Sequence, residues 1–512
     1  MAKRRPNILF LQADQLAASF LPAYGHRVVK APHISALADR GVLFENFYCN
    51  SPLCAPSRFS MMAGALPSRI GAYDNAADFA ADIPTFAHYL RLAGYRTALS
   101  GKMHFCGPDQ LHGFEERLTT DIYPSDYGWF PDWEDFETRP SWYHNMLSVV
   151  QAGPCVRSNQ LDFDEETVYA ARRYIHDAAR GTDERPFCLV VSMTHPHDPY
   201  AILPEHWNRY RDEDIDLPIV KAGDVPLDPH TKRLRHVSDM DRYEITEAHI
   251  RAARRAYYGA ISFVDDQVGL LLKALEEVGL ADDTIILFTA DHGDMQGERG
   301  LWYKMSWYEN ACRIPLIVSR PGLFRPHRVR EATSLIDLLP TLAEIAGDGR
   351  KPDHAAPIDG RSLLPHLAGN GGHDEVIGEY LGEGVVAPLM MIRRGGEKFV
   401  TTPSDPDQLF DLATDPQERR DTAADPAQAG KVAAYRAEAV RRWDMAGLRE
   451  KVVASQRRRR MVAAALMTGR HASWDFQPMR DASTSYMRNH LVLDDLEYRS
   501  RLPHVETPPA RA

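Results

Sequence analysis

Three short runs of consecutive apolar residues punctuate the first two thirds of the chain. Ile8–Leu11 leads to Asp14, Phe187–Met193 leads to His195, His197 and Asp198, and Thr284–Ala290 leads to Asp291, His292 and Asp294. Unbroken apolar runs of this length suit strands covered on both faces, as in a parallel sheet. Between them, Pro84–Ala93 and Phe263–Leu275 carry apolar residues at helical spacing and stop before Gly94 and Gly279. The alternation predicts an α/β fold, a large mostly parallel sheet between helices. In such a sheet ligands bind beyond the carboxyl ends of the strands, so the three polar run-ends converge on one site.

The pattern changes after about residue 346. Gly347–Pro352 and Gly369–Gly372 are rich in loop residues, and Leu389–Val400 reads as a β-hairpin turning at Gly395-Gly396. We therefore expect a catalytic α/β domain over residues 1–370, a smaller C-terminal α+β subdomain over 376–450, and an extended tail over 451–512. The run Arg457–Arg460 in that tail reads as a solvated helix face.

Composition narrows the function. The 512 residues carry a net charge of −11 and are 44% hydrophobic. That argues against a bulk nucleic-acid binder, which needs a basic face, and against disorder. No apolar run approaches the roughly 18–20 residues needed to span a membrane. The basic start, Met1–Pro6, is followed by a stretch too short for a secretory core and ending in Asp14. Six cysteines without C-x-x-C spacing make neither a disulfide framework nor a zinc site. The expected compartment is cytoplasmic, and any cysteine that matters does so through its chemistry.

Cys54-Ala55-Pro56-Ser57-Arg58 places a thiol near a guanidinium, which lowers a thiol pKa and stabilises an anion. The same residues also suit a buried structural cysteine beside a turn proline. Asp14 alone is a solvated strand-end carboxylate; together with Asp291-His292 at a second strand end it becomes a candidate metal site. Lys102 and His104 alone would be surface residues.

With these motifs the chain resembles the sulfatases of the alkaline phosphatase-like superfamily. The likeness rests on Cys54–Arg58, Gly64–Arg69, Ser100–His104, Pro196–Pro199 and Gly300–Lys304. It implies conversion of Cys54 to formylglycine by a separate formylglycine-generating activity. The hydrated aldehyde would attack sulfur, take the sulfate and then eliminate it. It further implies a dication held by Asp14, the Cys54-derived group, Asp291 and His292, with Ca²⁺ first and Mn²⁺ or Mg²⁺ as alternatives. Gln15 stands where the family more often has an acid. Arg58, Lys102 and Lys304 would clamp the anion, His104 would orient or deprotonate the nucleophile, and His197 would contact the sulfate or leaving oxygen. His195 is the weaker histidine, a support for its loop.

A closer resemblance, to the choline sulfatase branch of that family, runs along nearly the whole chain. It rests on Tyr73–Ala77, Lys102–Phe105, Gly107–Pro124, Tyr143–Met146, Thr194–Tyr200, Gly293–Met295 and Tyr486–His490. It implies choline-O-sulfate as substrate, with no nucleic-acid or membrane partner. A quaternary ammonium donates no hydrogen bond, so aromatic faces and carboxylates must hold it. Trp129 is the expected aromatic, although core packing is an equal reading of it. Asn75, His144 and Asn145 are the expected polar walls near the sulfate ester, and Glu383 is the counter-charge, with Glu379 competing. The tail is expected to reach a neighbouring subunit of a homo-oligomer (dimer or tetramer), where Asp494 or Asp495 would add charge. Two other readings stand beside this one. The first is an aryl sulfatase or a phosphonate or phosphate monoester hydrolase; the second is a non-catalytic sulfate-ester-binding protein with unmodified Cys54.

Overall fold

The computed structural model describes residues 5–479 together with Val492, Asp495, Glu497 and Arg499. The strands are β1 (Asn7–Ala13), β2 (Val42–Tyr48), β3 (Arg96–Gly101), β4 (Glu116–Arg117), β5 (Phe187–Ser192), β6 (Thr284–Ala290), β7 (Arg313–Ser319), β8 (His327–Val329) and β9 (Thr333–Ser334), of which β1, β5 and β6 are the three predicted apolar runs. They make one sheet in the order β8-β2-β7-β6-β1-β5-β3-β4, with β9 also pairing with β2. Every pairing is parallel except those of β7, which runs antiparallel to β2 and β6. Ile8 to Leu11 have no exposed surface, as expected of central strands covered on both faces.

Helices α1 (Cys54–Ala63), α2 (Phe86–Leu92) and α5 (Leu338–Ala346) pack together against the sheet. A second group contains α3 (Asn159–Arg180) and α4 (Glu247–Glu277). The periodic stretch Phe263–Leu275 is thus the C-terminal half of a 31-residue helix. Its first half is rich in arginine, and Arg254 is buried against Asp216 and Glu298.

The predicted hairpin belongs to a four-stranded antiparallel sheet: β10 (Glu375–Tyr380), β11 (Leu389–Arg394), β12 (Glu397–Thr402) and β13 (Asp405–Asp411). It docks on the loop after β2, where Glu379 N donates to Asn50 O at 2.9 Å and Asn50 Nδ2 donates to Ile377 O at 2.8 Å. Helices α6 (Ala429–Arg442) and α7 (Met445–Leu466) follow.

The arginine run departs from expectation. Arg457 and Arg460 lie on the surface of α7, but Arg459 is only 6% exposed and pairs with fully buried Asp74. Arg459 continues the inward stripe of Leu448, Val452 and Gln456 at helical spacing. The stripe turns polar at Gln456, which is why an apolar pattern does not reveal it. The tail motif Tyr486–His490 and Asp494 lie outside the described residues; Asp495 pairs with Arg499 at 3.1 Å.

Candidate active site

Parallel register builds the centre of the site. Ala13 on β1 pairs with Ala290 on β6, so the next residues, Asp14 and Asp291, leave the sheet side by side. Cys54 is the first residue of α1, and Arg58 lies one turn further along. There the Arg58 guanidinium bridges both acids, with Nη2 3.0 Å from Asp14 Oδ2 and Nε 2.9 Å from Asp291 Oδ2. Its remaining Nη1 donates to Lys102 O and Ser192 Oγ. Arg58 is therefore committed to positioning the acids, rather than reaching into open space.

Lys102 follows Gly101 at the end of β3. A Cβ at Gly101 would fall 2.0 Å from Ser192 O, and its φ is +98°, so only glycine allows this close approach. The Lys102 ammonium pairs with Asp14 and lies 4.1 Å from the Tyr123 ring centre. His104 adopts a left-handed backbone (φ 61°), held by Asp121, whose Oδ2 accepts from the amides of Met103 and His104 at 2.9 Å each. Both its ring nitrogens are buried without a hydrogen-bond partner. Gln15, Tyr303 and Met305 share positive φ, so backbone strain gathers around this site.

Asp14, Cys54, Asp291 and His292 each present one ligand atom, all within 4.8 Å of one another and all buried. The Cys54 sulfur is 3.1 Å from His292 Nε2 and 4.0 Å from Asp14 Oδ1. His292 Nδ1 faces Gly293 O at 3.1 Å, which fixes the tautomer and turns Nε2 to the cluster as a ligand. Two carboxylates and an imidazole fit a hard or borderline dication. Burial raises the Asp14 carboxyl, but Lys102, His197, Arg58 and His292 outweigh it and hold it well below the ordinary carboxylate range. Burial and Asp14 likewise push the Cys54 thiol up, while Lys102, Lys304 and the neighbouring His104 bring it down to about 6. The Gln15 side chain turns away from this cluster. Its Oε1 accepts from Lys304 Nζ at 2.6 Å and its Nε2 donates to Asp294 Oδ2 at 2.6 Å.

Lys304 Nζ also lies 2.8 Å from His197 Nε2 and 3.4 Å from His144 Nε2. The His197 Nδ1 meets Asp198 O at 2.6 Å, so Nε2 is the nitrogen that accepts from the lysine. A cavity of about 250 Å³ opens above these groups. Its wall includes Cys54, Asn75, Trp129, His144, Asn145, His197, Lys304 and Glu383, the run-end acid Asp198, and Tyr123, Trp142 and Ser148, to which sequence alone assigns no individual role. Asn75 Oδ1 accepts from Ala55 N at 3.0 Å, tying that wall to the start of α1. Glu383 is 3% exposed, and burial raises its carboxyl to about 7.

Neither Glu379 nor His195 lines the cavity. Glu379 is consumed by Ser68 and by the Trp443 indole, far from open space. His195 Nδ1 contacts Asp164 Oδ2 at 2.7 Å, and its ring packs on Phe263, so it supports the loop without lining the cavity. Asp164 itself, which also accepts from the Thr194 amide and hydroxyl, had no signal in the sequence beyond its place in a helix.

A helix that starts at a buried thiol, a buried four-residue cluster able to hold a dication and a ring of cations lie together at the carboxyl edge of one mostly parallel sheet. The sulfatase family profile matches residues 6–348, and the chain belongs to that family. A profile described as choline sulfatase enzyme C terminal matches residues 450–502, and one for the C-terminal part of N-sulphoglucosamine sulphohydrolase matches 297–442. A choline-sulfatase of Rhizobium meliloti (strain 1021) is 45% identical across 99% of this chain and 100% of its own length. Arylsulfatase K of Gallus gallus is 28% identical across 80% of this chain and 77% of its own. Among solved structures, phosphonate monoester hydrolase SpPMH from Silicibacter pomeroyi superposes with a TM-score of 0.69 at 25% identity, covering 86% of this chain and 95% of that one.

Proposed function

We propose that this protein hydrolyses choline-O-sulfate to choline and sulfate, using a formylglycine made from Cys54 and a bound dication, Ca²⁺ first and Mn²⁺ or Mg²⁺ otherwise. The observation that carries the reading is a cavity lined by two chemically opposite kinds of group. Lys304 and His197 line it beside Cys54, whereas Trp129, Tyr123, Trp142 and Glu383 also line it and offer aromatic faces and a carboxylate. A small zwitterion with a sulfate at one end and a quaternary ammonium at the other matches both. The full-length likeness to a choline-sulfatase supports the same substrate.

Formylglycine would supply an oxygen nucleophile as its hydrate, and Asp14, Asp291 and His292 would hold a dication that offsets negative charge beside it. The chain's own residues do the rest. Lys102, pinned by Asp14, and Lys304, pinned by Gln15, neutralise sulfate oxygens. His104, with two free ring nitrogens, takes and returns the proton at the residue-54 oxygen. Lys304, oriented by His197 Nε2, donates to the leaving oxygen of choline, a poor leaving group without a proton. We also assign residues 1–370 to the catalytic unit, 376–450 to the smaller unit and the region from 451 to oligomerisation and pocket closure. All six cysteines are free, which supports action in a reducing cytoplasm.

The test is competition between choline-O-sulfate and 4-nitrophenyl sulfate, with the Cys54 peptide weighed beforehand. The expected peptide is lighter than the cysteine form by about 18 Da. We expect kcat/KM for choline-O-sulfate to exceed that for the aryl ester by about a hundredfold or more. A ratio of one or below overturns the substrate assignment in favour of an aryl sulfatase. An unmodified Cys54 in protein without turnover supports the sulfate-ester-binding reading instead.

A further inference from the structure

We propose that Arg459 is a positioning residue acting chiefly on the cationic end of the substrate: from helix α7 it holds the segment that carries Trp129, and through Asp74 it also steadies Asn75 beside residue 54. The inference rests on the choline-O-sulfate reading. Arg459 and Asp74 form a two-pronged pair, Nη1 to Oδ1 and Nη2 to Oδ2, the latter at 2.7 Å. Asp74 immediately precedes Asn75, whose side chain caps Ala55 beside the nucleophile position. The same guanidinium lies 5.5 Å from the ring centre of Phe130, the residue after Trp129.

One turn back, Gln456 Oε1 accepts from Trp133 N at 3.0 Å. Trp133 Nε1 in turn donates to Gly382 O at 3.0 Å, next to Glu383. A single inward stripe of α7 thus reaches the neighbours of Asn75, Trp129 and Glu383. Anchorage alone does not explain the choice of residues, because burying a charge pair is expensive and an apolar pair would hold the helix as well. What the forked guanidinium adds is direction. It fixes the Asp74 carboxylate in one plane, and with it the backbone entering Asn75. Arg457 and Arg460 are exposed, with partners Glu134 (exposed) and Asp132 (half-buried), so they lack that burial and serve as internal controls.

The experiment uses full-length enzyme, matched for formylglycine content by mass, with choline-O-sulfate and 4-nitrophenyl sulfate. Arg459→Met is expected to raise KM for choline-O-sulfate about tenfold, with kcat within about threefold and the aryl ester's KM within about twofold. Arg459→Lys, which keeps the charge but loses the fork, is expected to fall between wild type and Arg459→Met. Arg457→Ala and Arg460→Ala are expected to stay within about twofold of wild type on both substrates. Unchanged KM in Arg459→Met, or equal losses on both esters, overturns the positioning role. Should Arg459→Met fail to fold, Arg459→Lys and Asp74→Asn carry the test: a selective KM rise supports the role and an unchanged KM overturns it. A wild-type enzyme without preference for choline-O-sulfate overturns the function reading as well. Wild-type preference with unaltered variants overturns this inference alone.

Discussion

The sulfur of Cys54 lies 3.1 Å from Nε2 of His292, inside a cluster whose other members are two fully buried aspartates. An inert structural cysteine has no need of such neighbours; Cys188, for comparison, has burial as its sole perturbation, which drives its thiol up to about 12. Cys54→Ala is therefore expected to lower kcat by roughly three orders of magnitude or more, because the nucleophile is lost. The melting temperature should stay within a few degrees, since one atom is removed from a polar site rather than from the apolar core. Residual turnover near the wild-type rate would show that residue 54 is not the nucleophile.

Asp14 and Asp291 share one guanidinium, and Asp14 also takes the Lys102 ammonium, yet both acids still face Cys54 and His292. A dication bound there stabilises only the folded state, by about 3 kcal/mol at a hundredfold excess over its dissociation constant. Prolonged dialysis against a chelator is expected to abolish turnover and lower the melting temperature by several degrees. Adding Ca²⁺ or Mn²⁺ should restore both. Activity and melting temperature that both survive thorough stripping would argue against a metal at this cluster.

The candidate site is legible in the sequence as far as local rules bring its residues together. Unbroken apolar strands end at Asp14 and Asp291, parallel pairing sets them side by side, and helical spacing puts Arg58 one turn from Cys54. Groups held by distant partners are not legible this way. Glu379 and Glu383 are four residues apart and chemically identical in sequence. The contacts of Glu379 with Ser68 and Trp443 remove it, and only the fold supplies them. Gln15 reads as a departure from an acidic ligand, but its amide bridges Lys304 and Asp294. Arg459 hides within four identical residues because burial selects by helical face, not by residue type.

Trp129 packs against its neighbours through ring edges, 4.9 Å from Tyr123 and 5.9 Å from His104, and still lines the cavity. A cation held over such a ring is worth about 0.5–2 kcal/mol. Trp129→Ala is expected to raise KM for choline-O-sulfate by about threefold to thirtyfold and to leave small aryl sulfates within about twofold. Parallel losses on both substrates, with a lowered melting temperature, would assign Trp129 to packing.

Glu383 couples substrate binding to pH. Burial is the main cause that lifts its carboxyl to about 7, with Asp74 adding to it and Lys304 and His292 opposing. The folded protein then holds a proton that the unfolded chain, near the ordinary glutamate value of about 4.3, has released. Stability should fall as pH rises between these two values, by about 4 kcal/mol in all, and level off above pH 7. Binding runs the other way, because only the ionised carboxylate attracts a quaternary ammonium. KM for choline-O-sulfate is expected to fall as pH rises from about 6 to 8, while that for 4-nitrophenyl sulfate is flatter. Glu383→Gln separates the two effects. The variant should be more stable than wild type at pH 8, have a KM for choline-O-sulfate raised about tenfold there, and lose the difference in pH dependence between the two esters. Paired pH profiles of KM and of thermal unfolding check this, and a pH-independent wild-type ratio of the two KM values would remove Glu383 from the ammonium site.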